Sequence, residues 1–254
     1  MRHGSILSLV LAASLSACTT TSRNRVEGSP SSADIYTQMG IQYLELGRTD
    51  IALQNLQRAL ELDPRQSKAH NTIAVLYERL GKLAKAREHY EQAIDLDSKN
   101  PSIHNNYGQF LCTQAEYAEA QRHFQRAYEA PLYKRAWVPL TNAGSCALRE
   151  GDDAKAEGFF RQALEDNPKF APALSEMLTL SFKQQHYFRV RAFLQRYLEV
   201  AEHRPETLWI GIQAEKKLGN LDAVASYILL LRNKFPDSKE AAAAREAFPE
   251  YFGG

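Results

Sequence analysis

The sequence lacks the residue spacings that catalysis needs. It holds no HExxH, no CxxC, no clustered carboxylates, no glycine-rich phosphate loop and no GxSxG elbow. Metal, acid–base, nucleotide and serine chemistries each depend on one of those arrangements. No enzyme, cofactor, metal site or small-molecule substrate is therefore expected. A charge bias is missing too, with 31 basic and 30 acidic side chains. That balance argues against capture of nucleic acid and against a basic membrane-surface patch. Beyond the N-terminus no apolar run approaches the roughly 20 residues of a membrane-spanning helix. Cysteine is scarce, with three in 254 residues.

The first of those cysteines ends a distinctive N-terminus. Arg2 precedes an apolar stretch from Ile6 to Leu15, which reads as a secretory signal and is too short to span a bilayer. Leu15-Ser16-Ala17-Cys18 resembles the bacterial lipobox, whose cysteine is acylated and becomes residue one of the mature chain. An ordinary signal with an incidental cysteine is the alternative. Residues 1–17 then form a lipoprotein signal peptide, and residues 18–32 the acylated Cys18 and a flexible tether. Thr19 rather than Asp after Cys18 implies, by analogy with sorted lipoproteins, outer-membrane localisation. Loss of residues 1–17 removes Arg2 and leaves 30 basic against 30 acidic groups. Residues 19–32 carry almost no hydrophobic side chain, and as a coil they reach roughly 20 Å. The mature protein is thus expected to face the periplasm on a lipid anchor.

The rest of the chain repeats every 34 residues. Counting from Ala33, small residues stand at positions 8, 20 and 27: Gly40, Ala52 and Ala59. The same positions hold Ala74, Ala86 and Ala93 in the next unit, then Gly108, Ala120 and Ala127. After a two-residue insertion (Arg135, Ala136) they hold Gly144, Ala156 and Ala163. This is the tetratricopeptide pattern of two helices crossing closely where only Gly or Ala fits. Gly47, Gly81 and Gly151 near position 15 supply the turn between helices, and Pro64 and Pro168 near position 32 end the second helix. Repeats are therefore assigned at residues 33–66, 67–100, 101–134 and 137–170. Two divergent units, 171–204 and 205–238, keep the phase through Gly219 and Pro236. Their small positions carry Leu178, Val190, Tyr197, Ile212, Val224 and Leu231, which should push the paired helices apart. Residues 239–254 read as a C-terminal cap over the last apolar edge. The expected fold is an all-α tetratricopeptide-repeat solenoid.

The histidines follow the same period. His70 and His104 share position 4, and His89 and His123 share position 23, so repetition of the fold accounts for each pair. Cys112 and Cys146 fall on neighbouring first helices and, in an oxidising periplasm, are expected to form a disulfide. Two small buried hydrophobes is the other reading. A concave face lined by the first helices places Ile41, Leu44 and Val75 toward solvent as an apolar groove for a partner segment. On this reading a charge at Ile41 or Leu44 impairs binding with little loss of fold. Asn71, Asn105, Asn106 and Asn142 form a series along the same face. Their amides either pair with an extended peptide backbone or bridge neighbouring helices. No Lys/Arg carboxylate clamp is present, so an acidic C-terminal tail is not the expected ligand.

Three further stretches carry a family resemblance: Asn105-Asn106-Tyr107-Gly108-Gln109-Phe110-Leu111-Cys112, Pro131-Leu132-Tyr133 and Asn142-Ala143-Gly144-Ser145-Cys146. With a lipobox and about six repeats, the chain resembles the type IV pilus biogenesis lipoproteins, the PilF/PilW pilotins. The resemblance implies an outer-membrane lipoprotein that binds the type IV pilus secretin subunit. Such a protein promotes secretin localisation and multimer assembly, and so pilus biogenesis and twitching motility. The residue pattern alone equally suits a scaffold for another envelope complex, such as one of peptidoglycan synthesis or hydrolysis.

Overall fold

The computed structural model describes residues 30–252. The signal segment and Cys18, with the lipidation expected there, lie outside the described residues. Helix follows helix throughout, and no strand occurs among the described residues. Six helix hairpins stack in order: α1 (Ser32–Glu45) with α2 (Thr49–Leu62), α3 (Ser67–Arg79) with α4 (Leu83–Leu96), and α5 (Pro101–Thr113) with α6 (Tyr117–Tyr128). Then come α7 (Trp137–Glu150) with α8 (Asp153–Asp166), α9 (Ala171–Lys183) with α10 (Tyr187–Leu198), and α11 (Pro205–Lys217) with α12 (Leu221–Lys234). A shorter α13 (Lys239–Ala247) follows. The architecture is an all-α solenoid.

The helix starts are written locally. Ser31 and Asp34 form a capping box on α1, and the Asn100 side chain accepts from the Ser102 N–H at the start of α5. Asp152 and Ser238 cap α8 and α13 in the same way. Pro101 and Pro205 occupy first turns, where a missing N–H costs nothing. Between paired helices the chain turns through a left-handed residue. Gly47, Gly81, Gly151 and Gly219 take it with φ between +68° and +93°. Ala115 and Gln185 stand at the equivalent points of the third and fifth units with φ of +62° and +60°. A side chain there costs about 1–2 kcal/mol, which the packing of the helices on either side overrides.

The close crossings lie where the period put them, and they are tighter than expected. A Cβ added to Gly40 would meet Leu56 at 2.5 Å, one on Gly108 would meet Phe124 at 2.9 Å, and one on Gly144 would meet Phe160 at 2.5 Å. Alanine at these three positions would therefore force Leu56, Phe124 or Phe160 to shift, whereas in the second unit Ala74 and Tyr90 are buried together in one cluster. In the last two hairpins Leu178, Val190, Ile212, Val224 and Leu231 are fully buried at the corresponding sites. Their bulk holds α9 from α10, and α11 from α12, less closely apposed than the helices of earlier pairs. The C-terminal edge is covered by Ala241, Ala244 and Phe248, packed with Leu208, Ile212 and Ile228. The Lys216 ammonium lies 4.3 Å over the Phe248 ring.

Candidate binding groove

Stacking hairpins in one direction sets α1, α3, α5 and α7 side by side, each touching the next first helix as well as its own partner. Three adjoining cavities open along them. The first, of about 370 Å³, is lined by Ile41, Leu44, Asn71, Val75, Arg79 and Asn106 among others. A second, of about 550 Å³, shares Val75, Arg79 and Asn106 and adds Glu78, Tyr90 and Gln109. The third, of about 240 Å³, shares Glu78 and Gln109 and reaches Asn142, Ser145 and Arg149. Shared walls make these one groove across four units, apolar at the N-terminal end and polar further on.

The structure separates the residues assigned to this face. Ile41 and Val75 are half-exposed at the apolar end. Leu44 differs from expectation: it is only 5% exposed and belongs to the core cluster with Leu56 and Ile73. Near the end of α1 its side chain turns under the groove floor, so a charge there would damage the fold as well as binding. Ile41 alone of the two gives a clean test.

The asparagines bond to one another. Asn142 donates to Asn105 Oδ1 at 2.8 Å, Asn105 to Asn106 Oδ1 at 3.4 Å, and Asn106 to Asn71 Oδ1 at 3.3 Å. The chain of amides ties α7 to α5 and α5 to α3, which is the bridging reading. Asn105 is 7% exposed and lies beneath the surface as a strut, while Asn71, Asn106 and Asn142 still line the cavities. The amides of Asn71, Asn106 and Asn142 retain unused donor or acceptor capacity at the cavity walls.

Cys112 on α5 and Cys146 on α7 line the third cavity with Cα atoms 5.8 Å apart and Sγ atoms at 2.14 Å. That Cα separation lies inside the range a disulfide spans.

The histidines, expected only to repeat with the fold, are in contact within each unit. His70 Nδ1 lies 3.0 Å from His89 Nδ1, and His104 Nδ1 lies 2.9 Å from His123 Nδ1. His70 Nε2 faces the Pro64 carbonyl and His104 Nε2 the Ser98 carbonyl. A carbonyl only accepts, so those Nε2 atoms carry hydrogen, and the Nδ1 atoms of His70 and His104 accept from their partners. His89 and His123 are thereby fixed as Nδ1–H tautomers. The recurring separation of 19 residues was the available signal.

Burial, reinforced by the neighbouring imidazole, lowers the His89 pKa. Burial, then His104, Arg126 and Arg122, lowers that of His123 from the ordinary 6.5 to about 4. His104 is lowered mainly by burial. A base with a depressed folded pKa contributes its full stability above the unfolded value and loses it as pH falls toward the folded one. Unfolding by urea should therefore show a stability plateau above about pH 6.5 and a decline between 6.5 and 4. His123, 8% exposed, contributes at most about 3 kcal/mol to that decline. His123→Asn should flatten the upper part of the slope; an unchanged slope would contradict the assignment.

A half-buried carboxylate was also overlooked. Glu78 stands at position 12 of its unit, a place already assigned to the concave face, yet its role depends on a neighbour from another helix. The Tyr90 hydroxyl donates to Glu78 Oε2 at 3.0 Å. Burial raises the Glu78 pKa against the smaller opposing effects of that hydrogen bond and of Arg79.

Comparisons with known proteins agree with this architecture. A tetratricopeptide repeat family profile matches residues 37–101 and 111–171, and a second matches 89–122. The type IV pilus assembly protein PilF of Pseudomonas aeruginosa is 31% identical over 238 residues, spanning 92% of this chain and 94% of that protein. A solved structure of Pseudomonas aeruginosa PilF superposes with a TM-score of 0.76 at 30% identity, covering 85% of this chain and 97% of the other. The crystal structure of PilW, described as a widely conserved type IV pilus biogenesis factor, superposes with a TM-score of 0.76 at 27% identity. It covers 85% of this chain and 99% of PilW.

Proposed function

Because the chain belongs to the tetratricopeptide-repeat family of type IV pilus assembly proteins, we propose that it is a lipid-anchored pilotin that binds the pilus secretin subunit. Acylated at Cys18, it brings the subunit to the outer membrane and promotes multimer assembly, and pilus extrusion and twitching motility depend on the result. The protein performs no chemistry. Its groove shelters a segment of the subunit that would otherwise aggregate, and the lipid sets the destination. Among the described residues no helix is long and apolar enough to cross a membrane. Attachment by a diacylated, N-acylated cysteine requires no such helix. In the periplasm Cys112 and Cys146 are bridged, which holds the third and fourth units at a constant angle.

The observation that carries this reading is the unbroken groove along α1, α3, α5 and α7 in a chain of this family. An apolar end at Ile41 and Val75 accepts side chains, and the amides further along offer hydrogen bonds to an extended backbone. Deletion of the gene should leave secretin as monomers or misplaced multimers. A Cys18→Ser protein should accumulate folded and soluble without restoring outer-membrane multimers. Fractionation with detection of heat-resistant secretin multimers reads both outcomes. Normal outer-membrane multimers in the deletion strain would overturn the proposal. A pulldown that recovers peptidoglycan enzymes and no secretin would instead assign the scaffold to cell-wall assembly.

A further inference from the structure

We propose that the groove selects a partner segment by a basic side chain seated on Glu78, two residues away from an aliphatic side chain seated against Val75 and Ile41. The proposal rests on the reading that this groove holds the partner and specifies the chemistry it recognises. Glu78 faces the second and third cavities at once. Its Oε2 is held by the Tyr90 hydroxyl, and Tyr90 is itself 1% exposed in the core among Tyr107 and Phe110. Among the described residues Oε1 receives no hydrogen bond, and no cation lies within ion-pair distance of the carboxylate. Arg79, the adjacent residue in sequence, donates to the Leu44 carbonyl at 3.2 Å and so ties α3 to α1.

Arg79 lines the same cavity and its charge acts on Glu78 from a distance, but a half-buried carboxylate that no described cation pairs directly is still costly to the free protein. A cation arriving from outside recovers that cost and gains a charge-assisted hydrogen bond. The rest of the polar end, Asn106, Gln109, Asn142 and Ser145, is uncharged and suited to backbone amides. Arg149 lies at the far end of the third cavity, on α7, where it favours an acidic or uncharged continuation of the bound segment.

Register follows from the helix. Val75 and Glu78 are three residues apart on α3, which sets their Cβ atoms about 5–6 Å from each other on one face. An extended strand presents same-side residues every second position, about 6.8 Å apart. The pattern that fits is an aliphatic residue, any residue, then Lys or Arg.

The test uses the full mature chain in detergent and three capped, fluorescent dodecapeptides of Ser and Gly. One contains Leu-Ser-Arg, one Leu-Ser-citrulline, which keeps the shape without the charge, and one Ser-Ser-Arg. Fluorescence anisotropy should show the Leu-Ser-Arg peptide binding about tenfold more tightly than either of the others. Glu78→Gln keeps an acceptor for Tyr90 and should keep the parent's melting temperature, yet bind the arginine and citrulline peptides equally. Equal binding of those two peptides by the parent, or no binding of any peptide, overturns the proposal. Retention of the arginine preference in Glu78→Gln does so too. The groove reading fails separately, if Ile41→Asp captures secretin from native membranes as well as the parent does.

Discussion

Gly144→Val is expected to destabilise the protein by about 3 kcal/mol or more. Even the first added carbon comes within 2.5 Å of Phe160 Cε1 and 2.8 Å of Cδ1. Phe160 is fully buried in a cluster with Leu140, Ala156, Leu174 and Met177, so its ring has nowhere to retreat. Valine adds two methyl groups to that contact, and relief requires α7 and α8 to part. The displacement is transmitted to α5 and α9, which pack on α7. Gly158 is the control, since a Cβ there meets nothing within 4 Å and the residue lies inside α8. Gly158→Ala should stabilise by about 0.5–1 kcal/mol through helix propensity alone. Urea unfolding followed by circular dichroism measures both. A Gly144→Val protein as stable as the parent would show that the close crossing does not hold the hairpin together.

Opening the proposed Cys112–Cys146 bridge should cost about 3–4 kcal/mol, the chain-entropy value for a closed loop of roughly 35 residues. The two cysteines join first helices of consecutive units, so the loop takes in a whole helical repeat. They also line the third cavity of the groove. Loss of the bridge should therefore loosen the far end of the binding surface as well as lower stability. A reductant should shift the urea midpoint of the parent down by the same amount as Cys112→Ala with Cys146→Ala, and should not move the midpoint of that double variant. An unchanged midpoint for the parent under reductant would contradict the assignment.

These two effects divide along what the sequence could reveal. The glycine and alanine positions were legible because a close helix crossing tolerates few side chains and the period repeats the constraint. Capping by α13 followed from the need to cover an apolar edge. The left-handed turns at Ala115 and Gln185 carry no glycine, since the flanking hairpins impose the geometry on whatever residue stands there. Leu44 reads as a groove residue by its position, and only the packing of α1 on α2 and α3 shows that it belongs to the floor.

At the polar end, legibility stopped at single positions. Four asparagines were visible as a series, but their mutual hydrogen bonds depend on the spacing of three helices. The same holds for the histidine contacts, which join residues from the two helices of one unit. Glu78 was on the right face by phase. That no cation among the described residues pairs directly with it became evident only when every neighbouring element was in place.

The most direct test of the account places a photo-crosslinking amino acid in the living cell at Ile41 or Val75 in the groove, and at exposed Gln125 on α6 as a reference. Irradiation should join the secretin subunit to the two groove positions and leave the Gln125 variant unlinked. Secretin captured from Gln125 and from neither Ile41 nor Val75 would contradict it.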